Sequence, residues 1–199
     1  MKDILMRPFE AVAEAKKHKN LGKTVEVMLF AVILAGLSIF FFYLPIGAGF
    51  ALYSGILGAI VLFVGVLVSS FVLQLVFKIF TKKNDFFLAF TPLAYAWLIV
   101  STGMLAASIL VLIPTFIGPL MAYLVALPAF AVGLAVYLRG LMLTYDTDLI
   151  TVLVALGITL ISLASALSLV VAGDVVDFFR QVFTSSLIPT GELMTMAPL

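Results

Sequence analysis

Apolar residues run along this chain in blocks too long for an ordinary soluble helix or strand. Five blocks stand out, at about 24–44, 50–77, 86–113, 120–143 and 149–172. Each approaches or exceeds the ~20 mostly apolar residues that a transmembrane helix needs. Lipid offers no partners to backbone N–H and C=O groups, so segments that satisfy their own hydrogen bonds, that is helices, are predicted. The short segments of strict alternation that would mark a transmembrane β-barrel are missing from the sequence. The pattern predicts an all-α polytopic membrane protein, a bundle of five transmembrane helices with a short amphipathic helix in front.

The breaks between blocks are of two kinds. Tyr43-Leu-Pro-Ile-Gly-Ala-Gly and Pro114-Thr-Phe-Ile-Gly-Pro119 are short, uncharged and rich in turn residues. Lys78-Ile-Phe-Thr-Lys-Lys-Asn-Asp and Arg139-Gly-Leu-Met-Leu-Thr-Tyr-Asp-Thr-Asp148 carry charge. Asp85 and Asp148 stand just before apolar runs, where a side-chain oxygen can accept an orphan backbone N–H as an N-cap. The organisation expected is a basic amphipathic segment at 1–23, a membrane domain at 24–172 and a tail at 173–199. Val175, Val176, Phe178 and Phe179 alternate with Asp174, Asp177 and Arg180 in that tail, a pattern suited to an interfacial helix.

Composition agrees with the pattern. Hydrophobic residues make up 64% of the 199, charged residues 11%, and the mean hydropathy is +1.30. A soluble domain carries about 25% charged residues. The net charge of +1 gives no reason to expect nucleic acid as a partner, and the absence of cysteine excludes disulfides, thiol catalysis and Cys-ligated metals.

The few basic residues are placed unevenly. Lys2, Arg7, Lys16, Lys17, Lys19 and Lys23 precede the first block, Lys78, Lys82 and Lys83 lie in the second break, and Arg139 lies near the fourth. With five spans these ten fall on one side and Arg180 alone on the other, which orients the N-terminus to the cytoplasm and the C-terminus outside. A signal peptide is the rival reading of the first block. A charged region of about 23 residues and a long apolar run favour an uncleaved span. Pro8 suits a first helical position, Phe9, Val12 and Ala13 share a face, and Lys16, Lys17 and Lys19 come late, so this segment reads as a helix on the cytoplasmic surface with its basic end near anionic headgroups.

Chemistry-bearing patterns are few. All ten acidic residues fall at or beyond block ends, His18 has no second ligand near it, and there is no His-Glu-x-x-His, Gly-x-Gly-Asp or phosphate-cradling glycine loop. No catalytic residue, metal site or cofactor is assigned. Arg139 keeps two readings: snorkelling to headgroups, or a clamp to Asp146, Glu26 or a lipid phosphate. Lys16, Lys17, Lys19, Lys78, Lys82, Lys83 and Arg139 are the candidate contacts to lipid headgroups or a partner. Polar residues at depth are small hydroxyls. Ser101, Thr102, Ser162 and Ser165 are the candidates for helix packing or for a cavity, and spacings such as Ser54-x-x-x-Gly58 and Ala129-x-x-x-Gly133 allow close helix approach. Pro92 and Pro128 lie inside blocks and predict kinks that can shape a cavity.

Three segments carry a family resemblance. Met6-Arg-Pro-Phe-Glu-Ala, Phe80-Thr-Lys-Lys-Asn-Asp-Phe-Phe-Leu-Ala-Phe-Thr-Pro-Leu-Ala-Tyr95 and Leu134-Ala-Val-Tyr-Leu-Arg-Gly-Leu-Met-Leu-Thr-Tyr145 resemble, in order, the family's proline-containing approach to its first span, its loop into the third, and its end of the fourth. Together with the five-block plan they resemble the Yip1-domain family, over roughly residues 5 to 172. The sequence departs from the family's pattern at Lys82-Lys-Asn, where glycines are usual, and at Ala96-Trp97-Leu98, where a proline often follows the tyrosine. The resemblance implies a membrane protein of the trafficking-related type. The long acidic N-terminal region of eukaryotic members is replaced here by a short basic one, so their GTPase binding is not carried over. The function expected is that of a non-enzymatic scaffold or adaptor in the cell membrane, with lipid, other membrane proteins or a second copy as partners. The alternative is a transporter or channel for a neutral or lipid-like solute, which predicts a continuous polar cavity among Ser101, Thr102 and the fifth-block serines.

Overall fold

A computed structural model describes residues 7–18, 21–113, 116–165 and 168, which are helical almost throughout, with no strand among them. The helices are α1 Pro8–His18, α2 Leu21–Tyr43, α3 Ala48–Thr81, α4 Phe86–Val111, α5 Ile117–Tyr145 and α6 Leu149–Ser165. Internal contacts divide the chain into two compact units, Met1–Thr159 and Leu160–Leu199. The packing described here lies within the first.

Four helices, α2 to α5, are long and apolar enough to cross a membrane. At 1.5 Å per residue the 23 residues of α2 span about 35 Å and the 34 of α3 about 51 Å, against a hydrocarbon core of about 30 Å. The block expected at 149–172 is helical over its described stretch Leu149–Ser165, 17 residues or about 25 Å, and again at Ser168. Four helices are thus candidate spans where the pattern predicted five; the rest of the fifth block, Ser168 apart, lies outside the described residues, as does the tail at 173–199. Element ends also differ from the sequence expectation. Pro119, read as part of a break, is the third residue of α5, where the proline's missing N–H leaves no intrahelical bond unmade.

The helix α4 is the centre of the bundle. From Phe87 to Ala96 its residues are buried nearly all round, and it packs on α2, α3 and α5. A helix enclosed on every side is apolar on every side. Its neighbours bury one side only. Leu52, Ile56, Ile60 and Phe71 of α3 and Leu120, Leu124 and Leu127 of α5 face outward, a surface suited to lipid and not to water. One apolar cluster joins Val12, Val27, Met28, Val66, Tyr95, Leu98 and Val136, and a second joins Leu73, Phe77, Leu88, Leu141, Tyr145 and Val152.

Small residues set the helix separations. A Cβ added to Gly55 would lie 2.8 Å from the Gly36 carbonyl oxygen, so α2 and α3 cross with their backbones nearly touching. A Cβ on Gly133 would meet Val100 Cγ2 at 2.5 Å, and one on Gly140 would meet Pro92 Cβ at 2.8 Å, which fixes how closely α5 approaches α4. The Ala129-x-x-x-Gly133 spacing belongs to this contact, whereas Gly65 has nothing near it.

Candidate functional site

The helix α1 does not lie free on a surface. Val12 is 0% exposed and Ala15 nearly so, and with Phe9 they pack into the first apolar cluster, against α4 and α5. Ala13, placed on the apolar face by the sequence, is exposed, and Ala15 takes that role. The face offered to lipid by the pattern is therefore occupied by the protein itself, and the charged side of α1 is held over the end of α5.

That end is built around Asp146. The residue caps α5 in the left-handed conformation, φ 52°, with its N–H donating to the Met142 carbonyl. Aspartate is among the few non-glycine residues that tolerate this geometry. Lys16 Nζ donates to Asp146 Oδ1 at 2.6 Å and to the Leu143 carbonyl at 2.8 Å. Lys83 Nζ donates to Asp146 Oδ2 at 2.6 Å and to the Tyr145 carbonyl at 3.1 Å. Two ammonium groups thus satisfy the last carbonyls of α5, where the helix dipole is negative. Hydrogen bonds from Lys16 and Lys83 hold the Asp146 carboxyl down at about 2. The bonds from Thr151, and then from its own backbone region and Thr147, lower Asp148 as well.

Around this cluster the other predicted cations divide. Arg139 stands with its guanidinium carbon 4.8 Å above the Phe9 ring, a cation–π contact that ties α5 to α1. It is a clamp, but to an aromatic ring instead of Asp146 or Glu26. Lys17, Lys78 and Lys82 are exposed, Lys82 as the left-handed C-cap of α3 at φ 58°. Lys19 lies outside the described residues. Asp85 is the N-cap the sequence indicated, accepting the Phe87 N–H at 3.0 Å. The three charged segments, from α1, the α3–α4 turn and the end of α5, meet at one end of the bundle, as the basic-residue count required.

A second feature lies at depth. Two adjoining apolar chambers of about 440 and 410 Å³ share Ser38, Ile39 and Met104 in their walls. One reaches toward Tyr43, Val111 and Pro119, and the other runs past Trp97 and Ser101. Rim residues Phe42, Val61, Tyr123 and Phe130 are exposed, so the chambers open sideways toward the lipid-facing surface. Ser101 lines the second chamber, whose wall is apolar and not the continuous polar cavity that the transporter reading expected. Thr102, whose hydroxyl donates to the Leu98 carbonyl at 2.7 Å, does not line it. Ser38 and Ser108, which the sequence did not single out for a cavity, line the first chamber; Ser162 and Ser165 are exposed on α6, in the second compact unit. The signal for Ser38 was a lone hydroxyl within the long apolar run of α2.

No protein-family model matches the chain, and neither a curated protein nor a solved structure matches it.

Proposed function

We propose that the protein is a non-enzymatic integral membrane protein that organises lipid, alone or as a scaffold for other membrane proteins, on a plan similar to the Yip1-domain family. The observation that carries this reading is the pair of adjoining chambers, about 440 and 410 Å³, walled by apolar side chains and opening toward lipid. Volumes of this size are those of small-molecule sites. The described acidic and basic side chains are absent from the linings of these chambers, which suits shape-based holding of apolar matter. The clasp at Asp146 ties α1 and the α3–α4 turn to the end of α5, and the basic residues gathered there support the reading of this end as the cytoplasmic one.

The test is mass spectrometry of lipid retained by protein purified in mild detergent. A lipid class enriched over the bulk membrane supports the reading, and a retained profile equal to bulk overturns it. Transport of a neutral or lipid-like solute is the second reading. It is favoured by one specific observation, that two chambers share Ser38, Ile39 and Met104 in their walls, one reaching the Tyr43 end and the other Ser101 at mid-helix. Solute flux into protein-containing vesicles above that of empty ones selects it.

A further inference from the structure

The fold sorts the cations that the sequence singled out. Lys16 and Lys83 are held by Asp146, and Arg139 stands over the Phe9 ring. Lys78 and Lys82 are different. Both are exposed, and neither side chain has a hydrogen bond or an ion pair among the described residues. The aspartates of this end are committed elsewhere: Asp146 to Lys16 and Lys83, and Asp85 to the Phe87 N–H at the start of α4.

Their place on α3 says what meets them. Leu57, Val64, Phe71, Leu75 and Ile79 are all exposed and follow one another at steps of seven or four, which puts them on one side of the helix. From Leu57 to Ile79 this stripe runs about 33 Å, close to the ~30 Å of a hydrocarbon core. Lys78 follows Leu75 by three positions, and Lys82 follows Lys78 by four. The same side of α3 therefore turns from apolar to basic within about one turn, and Lys82 ends the helix as its cap. Ile79 beside them is 79% exposed, a surface suited to acyl chains and not to water. The chemistry found where acyl chains end is phosphate. Two ammonium groups with no protein anion suit a phosphate that carries no cation of its own. A zwitterionic headgroup brings its cation with it and gains less.

We infer that Lys78 and Lys82 bind the phosphate of an anionic phospholipid whose acyl chains lie along the Phe71, Leu75 and Ile79 side of α3. The lysines supply the charge, and the stripe supplies the seat for the chains. None of these five residues lines either chamber, so this site and the chamber reading stand or fall separately.

The test uses the full chain in phosphatidylcholine vesicles, with a single tryptophan moved to the site by Trp97→Phe and Ile79→Trp. Its fluorescence is quenched by phosphatidylglycerol or by phosphatidylcholine, each brominated near the top of the acyl chain. The relative association of the anionic lipid at this position is expected to be on the order of fivefold, the weight of one lysine near an anionic surface. Adding Lys78→Gln and Lys82→Asn is expected to bring it to about one. Both side chains are exposed and unbonded, and asparagine tolerates the left-handed cap at 82, so the variant keeps its fold. Unchanged quenching of the variant by brominated phosphatidylcholine checks that the reporter still faces lipid. Equal association of the two lipids in the parent protein overturns the inference, as does a preference that survives the lysine substitutions. Inorganic phosphate in the buffer is expected to leave the preference in place; if it erases it, the lysines take free phosphate and the lipid assignment falls. Quenching by neither lipid also overturns it, because protein, such as a second copy, then covers this side of α3.

Discussion

Lys16 and Asp146 stand 130 positions apart in the sequence, and their charged atoms meet at 2.6 Å. Lys83 takes the other carboxylate oxygen, so one aspartate holds a surface helix and an interhelix turn at once. Asp146 remains 63% exposed at its side chain, and water screens such pairs. Replacing it as Asp146→Asn is expected to cost the fold no more than about 1 kcal/mol. Its larger effect is on α1. Limited proteolysis between Phe9 and Lys17 is expected to speed up in Asp146→Asn, and in Lys16→Met to a similar degree. The double variant is expected to add little, because both changes break one link. Additive acceleration would show that the two residues act separately.

The same link gives a pH dependence of known sign. Hydrogen bonds from the two lysines lower Asp146 from an ordinary 3.8 to about 2 in the folded protein. A carboxylate with a depressed folded value adds stability above its unfolded value and loses it as pH falls through the folded one. The wild type is therefore expected to outlast Asp146→Asn in thermal melts at pH 6. That gap closes between about pH 4 and pH 2. Asp148, lowered by Thr151, adds to the acid sensitivity of both proteins and leaves their difference unchanged. A gap that stays constant down to pH 2 would detach Asp146 from stability.

Glycines along the helices are expected to differ sharply in tolerance. Gly140 sits where α1, α4 and α5 meet: an added Cβ would lie 2.8 Å from Pro92 Cβ and 3.4 Å from Val12 Cγ1. The proline ring cannot turn aside, so Gly140→Ala is expected to destabilise by about 1–3 kcal/mol. Gly65, on the exposed side of α3, has open space around it. Gly65→Ala is expected to be neutral or stabilising by up to about 1 kcal/mol. Thermal melts of the two variants in one detergent check the contrast, and equal losses would refute the close packing of α5 on α4.

What the sequence made legible follows the range of the interactions. Asp85 was readable as an N-cap because its partner is two residues away. The gathering of α1, the α3–α4 turn and the end of α5 at one end was readable because basic residues sort by side. Asp146 as their common acceptor was not, since no local pattern links positions 16, 83 and 146. The Gly36–Gly55 crossing was missed because spacing within one helix does not say which neighbour it meets, so Ser54 and Gly58 looked equally good. Thr102 looked like a cavity residue by depth alone, and its back-bond to Leu98 is a rotamer choice that composition cannot show. The amphipathic face of α1 was visible, but lipid and protein offer an apolar face the same energetic reward, and the fold decided for protein.

The sides of the membrane are the last expectation to test. The turn before α3 and the turn after it are separated by 34 helical residues, about 51 Å, enough to put them on opposite faces of a bilayer. Ile46 is 70% exposed in the first turn, and Lys82 is exposed in the second. The chain has no cysteine, so Ile46→Cys and Lys82→Cys each introduce a single thiol. Intact cells treated with a membrane-impermeant maleimide are expected to label Ile46→Cys at once and Lys82→Cys only after permeabilisation. The reverse order would turn the protein over and put the Asp146 cluster outside, against the bias that keeps lysine and arginine in the cytoplasm. Equal labelling of both in intact cells would mean that α3 does not cross the membrane.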